Sequence, residues 1–212
     1  MSLVLPDSGA EVLADGRRMP KSSQRNAAAI LQVLRSEAPA QGRMLELAAG
    51  AGVHSALFAE ALPGLDWQPT DLDPGHFGSI TAWAAQSAGR IRATLVLDAT
   101  REGWTSGLGR FDAVLLVNLL HLIPSAGAEV LLAGLPEVLA TDGTAFLYGP
   151  FLRDGQATSP GDAAFDASLR AQDPSIGYKD LGWVTARLAL AGLGVSLREM
   201  PANNLMLVVR RR

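Results

Sequence analysis

Hydrophobic and polar positions fall along this chain in blocks whose spacing switches between the helical and the extended period. The first block, about 24–37, places Ala28, Ile30, Leu31 and Leu34 at near-helical intervals and predicts a helix. An apolar run at 43–48 predicts the first strand, followed by a helix over about 52–62 that Pro63-Gly64 stops. A short run around Trp67 predicts a strand over 65–70. A helix follows over about 74–88, with Pro74 suited to its first turn. The runs ATLVLD (93–98), FDAVLLVN (111–118) and TAFLYG (144–149) predict three more strands, with a helix over about 126–140 between the last two. A helix over about 180–191 precedes strands at 194–200 and 205–211, which the turn Pro201-Ala202-Asn203-Asn204 joins.

Alternation of strand and helix implies a mostly parallel α/β sheet with helices on both faces. Strands three to five read as continuous apolar runs, the pattern of strands covered on both sides. The last two strands, joined by a short Asn-rich turn, imply an antiparallel hairpin at the end of that sheet. There is no internal repeat and no low-complexity linker, so one domain over 1–212 is expected. Residues 1–21 read as an N-terminal extension. The segment 151–180, rich in Gly, Asp and Pro, reads as an insertion that covers a substrate.

Composition removes several function classes. With 212 residues, 48% hydrophobic, the chain can bury a sizeable core. A formal net charge of −3 and a pI near 5.6 argue against broad binding to a nucleic-acid backbone. The one dense basic run, Arg210-Arg211-Arg212, reads as a solvated tail. The absence of cysteine excludes disulfides, thiolate metal sites and cysteine nucleophiles. No stretch approaches the ~18 apolar residues that span a bilayer. The first 20 residues make a poor signal peptide, so a cytoplasmic protein without a membrane partner is expected. Only Lys21 and Lys179 are lysines; the arginine and alanine bias fits a GC-rich bacterial genome.

The stretch LELAAGAGVHS, 45–55, joins the first strand to a helix through small residues. A dinucleotide fingerprint needs a third glycine, but that position is Ser55; a phosphate-binding Walker loop is absent. What remains is an acid followed by small residues at every second position: Glu46, Ala48, Gly50 and Gly52. This resembles the S-adenosylmethionine (SAM) loop of class I methyltransferases, with alanine in place of the first glycine. Small residues let backbone approach a ligand closely. Spacing adds weight, because Asp71 lies 25 positions after Glu46 (71 − 46) at the next strand end, where a carboxylate can accept both ribose hydroxyls. Leu72 could pack on adenine, Asp98-Ala99 ends strand three, and Asn118 ends strand four. Each acid taken singly could equally be a helix or turn cap.

Further stretches resemble a branch of class I methyltransferases, the methyltransferase-like protein twenty-six family and its bacterial relatives. They are Arg25-Asn26, LELAAGAGVH, WQPTDLD, VNLLHLIP, LYGPFLRDGQATSP, FDASLRAQDPSIGYKDL and MPANNLMLVVRR, together spanning about 22–211. The loop departs from the branch's ASGTG by reading AAGAG. The resemblance implies a Rossmann-like seven-stranded class I methyltransferase sheet, SAM as cofactor and S-adenosylhomocysteine as product. It supplies no acceptor.

Methyl transfer requires alignment of a nucleophile, and a general base only if that nucleophile arrives protonated. His121, three positions beyond Asn118, is the candidate base; its plain alternative is a loop contact. Tyr148, with Pro150-Phe151, could wall a substrate. Arg25 and Asn26 could close over the cofactor, or Asn26 could cap a helix. His54 could reach the cofactor's carboxylate, or simply pack; His76 receives no role. No histidine pair has helical zinc spacing, so no metal is indicated. Asn118-Leu119-Leu120-His121 lacks the [DN]-P-P-[FY] pattern of amino methyltransferases acting on bases. The expectation is a SAM-dependent methyltransferase with a small-molecule acceptor and no nucleic-acid partner, with its oligomeric state open. The alternatives are a non-catalytic SAM- or nucleoside-binding module and, less favoured, an NAD-dependent oxidoreductase.

Overall fold

The computed structural model describes residues 10–212. The first nine residues of the expected N-terminal extension lie outside the described residues. Strands β1 (Glu11–Val12) and β2 (Arg18–Met19) pair antiparallel, and helix α1 follows at Lys21–Glu37. Then come β3 (Gly42–Leu47), α2 (Val53–Ala61), β4 (Leu65–Asp71), α3 (Phe77–Ala84), β5 (Leu95–Val96), β6 (Phe111–Val117), α4 (Ser125–Val138) and β7 (Leu139–Gly149). The last third contains β8 (Phe151–Leu152), α5 (Pro160–Gln172), β9 (Lys179–Asp180), α6 (Leu181–Leu190), β10 (Leu193–Glu199) and β11 (Leu205–Arg211).

Seven strands form one sheet in the order β10-β11-β7-β6-β3-β4-β5. The five from β7 to β5 run parallel, and β11 enters antiparallel against both β7 and β10. The sheet therefore has the expected mostly parallel form with a C-terminal hairpin. Side-chain alternation in β3 divides the core. Leu45 and Leu47 join the apolar layer under α4 and α6, whereas Met44 joins the layer with Ile30, Leu34 and Phe58 of α1 and α2. No helix among the described residues is long and apolar enough to cross a membrane.

Four expectations are corrected. Strand three is paired over two residues only, and Leu95 and Val96 are 41% and 64% exposed: β5 is a sheet edge, not a doubly covered strand. The helix expected over 74–88 breaks into a single tight turn, Pro74–His76, and α3, because Asp73 caps that turn by accepting from the Gly75 amide. The helix expected to reach 140 ends at Val138, and β7 begins at once at Leu139, five residues before the expected start, with an irregularity opposite Phe111–Ala113. The segment 151–180, expected as a Gly-, Asp- and Pro-rich insertion, holds a 13-residue helix, α5, and a parallel pair, β8 with β9. Its helix was legible in Ser159-Pro160: the Ser159 hydroxyl accepts from the Asp162 amide, and proline occupies the first helical position.

Candidate cofactor and acceptor site

Two regions meet at the carboxyl ends of the parallel strands. The first is the loop after β3. Ala48, Gly50 and Gly52 all take positive φ, +53°, +56° and +82°. At Gly52 a Cβ would stand 2.9 Å from the Ile80 Cα, so the loop leading into α2 can approach α3 this closely only with glycine there. At Gly50 a Cβ would meet nothing within 4 Å, which leaves backbone bare to a ligand. Gly52→Ala adds that clash to left-handed strain and is expected to lower stability by about 2–3 kcal/mol, measured by urea unfolding.

Asp71 ends β4 beside this loop and is 6% exposed. Its Oδ2 accepts from the Gly50 amide at 2.8 Å; its Oδ1 accepts from the Asp73 amide at 2.9 Å and lies 3.1 Å from His76 Nδ1. These donors hold the carboxyl below its ordinary range against the opposing effect of burial. Leu72, 58% exposed, stands open beside it. Asp98 accepts from the amide and hydroxyl of Thr100, so it caps a turn while Ala99 is buried in the core.

Glu46 does not face this surface. It is 2% exposed, and its Oε2 accepts from Ser55 Oγ at 2.5 Å and Trp67 Nε1 at 2.6 Å. The expected cofactor contact gives way to a support: Glu46 ties α2 to β4 beneath the loop. Burial, with Asp71's charge nearby, pushes its carboxyl up to about 7 although both donors pull it down. The serine in place of a third glycine is thus explained, since its hydroxyl serves Glu46.

The second region is a cavity of about 910 Å³ between the start of α1, the ends of β6 and β7, α5 and the β10–β11 turn. Asn118 closes β6 in the left-handed region, φ +57°, and its amide donates to the Tyr148 carbonyl. His121 follows in the short turn Leu120–Leu122 and is 5% exposed. Its ring packs edge-on against Phe165 and Tyr178, with centroids 5.9 Å away in each case. Among the described residues neither ring nitrogen has a hydrogen-bond partner, yet the ring lines the cavity. Burial and the Lys179 charge hold it down to about 4, so it is neutral at pH 7.

Tyr148 lines the same wall, and burial pushes its hydroxyl up to about 12, while Asn26 and Arg25 pull it back. It therefore keeps its proton. Asn26 is not a helix cap, because α1 begins at Lys21; it lies one turn inside, buried, with Oδ1 2.8 Å from His54 Nε2. His54 is corrected likewise. It is buried, stacks on Phe58 at 5.2 Å and bonds to α1, so it braces Asn26 rather than reaching into the cavity.

The anchors of the segment 151–180 were not legible as such in the sequence. Lys179 is buried, and its Nζ donates to the Ile123 and Gly177 carbonyls at 2.8 and 2.9 Å, tying this segment to the turn that carries His121. Its rarity, one lysine of two, was the available signal. Asp162 accepts from Asn203 Nδ2 at 3.0 Å, so the hairpin turn, with Ala202 and Asn203 at positive φ, also fastens α5. Phe165 and Tyr178 form a small apolar cluster with Leu169 and Ile176, whose sequence is too polar to show a core stripe.

Solved structures share this architecture. An O-methyltransferase family protein from Burkholderia thailandensis matches 90% of this chain and 56% of its own, at 19% identity and a TM-score of 0.78. An O-methyltransferase family 2 protein from Planctomyces limnophilus, in complex with apigenin, matches 90% and 58%, at 16% identity and a TM-score of 0.75. Human N-acetylserotonin methyltransferase, in complex with SAM, matches 90% and 53%, at 15% identity and a TM-score of 0.71. At such identities the likeness establishes the fold, a Rossmann-like methyltransferase sheet, and the chain spans little more than half the length of these proteins. A family model described as "Protein of unknown function (DUF938)" matches residues 17–211, and the chain belongs to that family.

Proposed function

We propose that this protein is a SAM-dependent methyltransferase acting on a small molecule, with His121 as general base. The observation that carries the reading is a buried, neutral His121, without a hydrogen-bond partner among the described residues, on the wall of a cavity of about 910 Å³ just beyond the Asn118 strand end. The residues fit the cofactor. Gly50 leaves backbone bare, Asp71 stands within hydrogen-bond distance of the Gly50 amide as the ribose acceptor, and Leu72 offers an apolar face for adenine. Asn118, Arg25 and Asn26 line the cavity where the methionyl end would lie. The stretches that resemble the methyltransferase-like protein twenty-six family support the same assignment, and the segment 151–180 is the acceptor's cover.

Bound SAM would supply a methyl group already activated on a positively charged sulfur. His121 has a free nitrogen with which to take the acceptor's proton. Methyl transfer to a neutral oxygen or nitrogen acidifies the proton it carries, so a histidine held below its ordinary range still suffices. Tyr148, protonated at neutral pH, serves as a hydrogen-bond partner that orients the acceptor or the cofactor. The aromatic walls exclude water around the reacting atoms.

The test is calorimetric titration with SAM, S-adenosylhomocysteine and NAD. Binding of the first two without the third supports the reading; binding of NAD alone sinks it, and turnover of no acceptor in a screen favours a non-catalytic binding module. Asp71→Ala is expected to weaken SAM binding by about 1–3 kcal/mol, roughly 5–150-fold, by removing a charge-assisted acceptor. Wild-type affinity in that variant would mean the ribose lies elsewhere.

A further inference from the structure

His76 stands against the carboxylate assigned to the ribose, and the arithmetic of hydrogen bonds there is tight. A carboxylate offers about four acceptor positions. At Asp71 the Gly50 amide, the Asp73 amide and His76 Nδ1 each take one. About one remains, whereas a vicinal diol that donates both hydroxyls needs two. The two amides belong to the loop and the turn that shape the site, and they cannot leave without unfolding it. The imidazole can: its side chain is 30% exposed at the end of the three-residue turn that leads into α3.

We propose that His76 is a positioning residue of the cofactor site, occupying one acceptor position of Asp71 until the ribose diol displaces it. The inference rests on the SAM reading given above. It carries a pH dependence with a definite sign. The charges facing His76 are Asp71 at 3.1 Å, Asp73 at 3.9 Å and, from β2, Arg18. The carboxylates win, and the imidazole holds its proton above the ordinary histidine range. A ligand that takes Asp71 away from His76 makes the ring a weaker base, so binding releases protons. Affinity therefore rises with pH through the titration of the free protein's His76, tenfold for each pKa unit lost on binding.

The chain has three histidines, and His54 and His121 are both held down to about 4, below this window. Glu46, at about 7, is the one competing group near the loop, and it is untouched in a His76 variant. The experiment titrates wild type and His76→Ala with S-adenosylhomocysteine at about pH 8 and about pH 5.5, with the His76 ring proton followed by NMR. The expected result is several-fold weaker wild-type binding at the lower pH. His76→Ala should bind more tightly than wild type at both pH values, with the larger gain at the lower, and saturating ligand should shift the ring's titration downward. An unchanged pH slope in His76→Ala, or weaker binding by that variant at both pH values, overturns the assignment of His76 and leaves the SAM reading intact. Absence of S-adenosylhomocysteine binding to wild type at either pH overturns the SAM reading itself.

Discussion

Replacing His121 by alanine is expected to slow methyl transfer by about 10²–10³-fold while cofactor affinity stays at the wild-type value. The effect is large because among the described residues no second uncommitted base lines the cavity: Asp162 is committed to Ser159, Asn203 and Tyr178, and Tyr148 keeps its proton. His121→Gln distinguishes chemistry from packing. Glutamine fills the slot beside Phe165 and Tyr178 with a polar side chain that is no base, so it should be as slow as alanine yet as stable as wild type. Formation of S-adenosylhomocysteine, measured with an acceptor found by screening, gives the rate, and calorimetry gives the affinity. The wild-type rate should be flat across neutral pH and fall as the ring protonates near about 4. Loss of cofactor affinity in both variants would place His121 in the cofactor site instead.

Acidification should destabilise the protein through two buried histidines, His54 and His121. His54 and His121 sit at about 4 in the folded chain against 6.5 in the unfolded one. Between those values the unfolded chain binds the extra protons, so stability is lost as pH falls from 6.5 to 4. Each histidine accounts for about 3 kcal/mol over that interval. Glu46 works the other way. Raised from 4.5 to about 7, it holds its proton longer when folded, so its contribution recovers about 3 kcal/mol as pH falls across that range. The sum is a net loss of about 3 kcal/mol at pH 4, a large part of a typical 5–15 kcal/mol. Urea midpoints across this range should show that loss. His54→Gln should flatten the decline, and Glu46→Gln should steepen it while raising stability at neutral pH. An acid limb that survives unchanged in His54→Gln would place the protons elsewhere.

Strand–helix alternation, the terminal hairpin and the small-residue loop were legible in the sequence, because each is written in local periodicity and in residues that tolerate a given backbone. The sequence also marked Asp71, Asn118 and His121, since strand ends in a parallel sheet all emerge on one rim. It could not separate His54 from His121. Both are buried histidines close to a strand end, and only the packing of α1 on α2 gives His54 a partner while the cover leaves His121 with none. Nor could it show that Glu46 turns inward. Side chains alternate along a strand, and which face receives the ligand follows from the crossing of the chain at the next strand. The sheet edge at β5, the short turn that brings His76 to Asp71, and the cavity closed by α5 all depend on contacts between residues far apart in the chain. Those contacts are absent from local pattern, and it is they that decide which polar atoms are satisfied and which remain free to act.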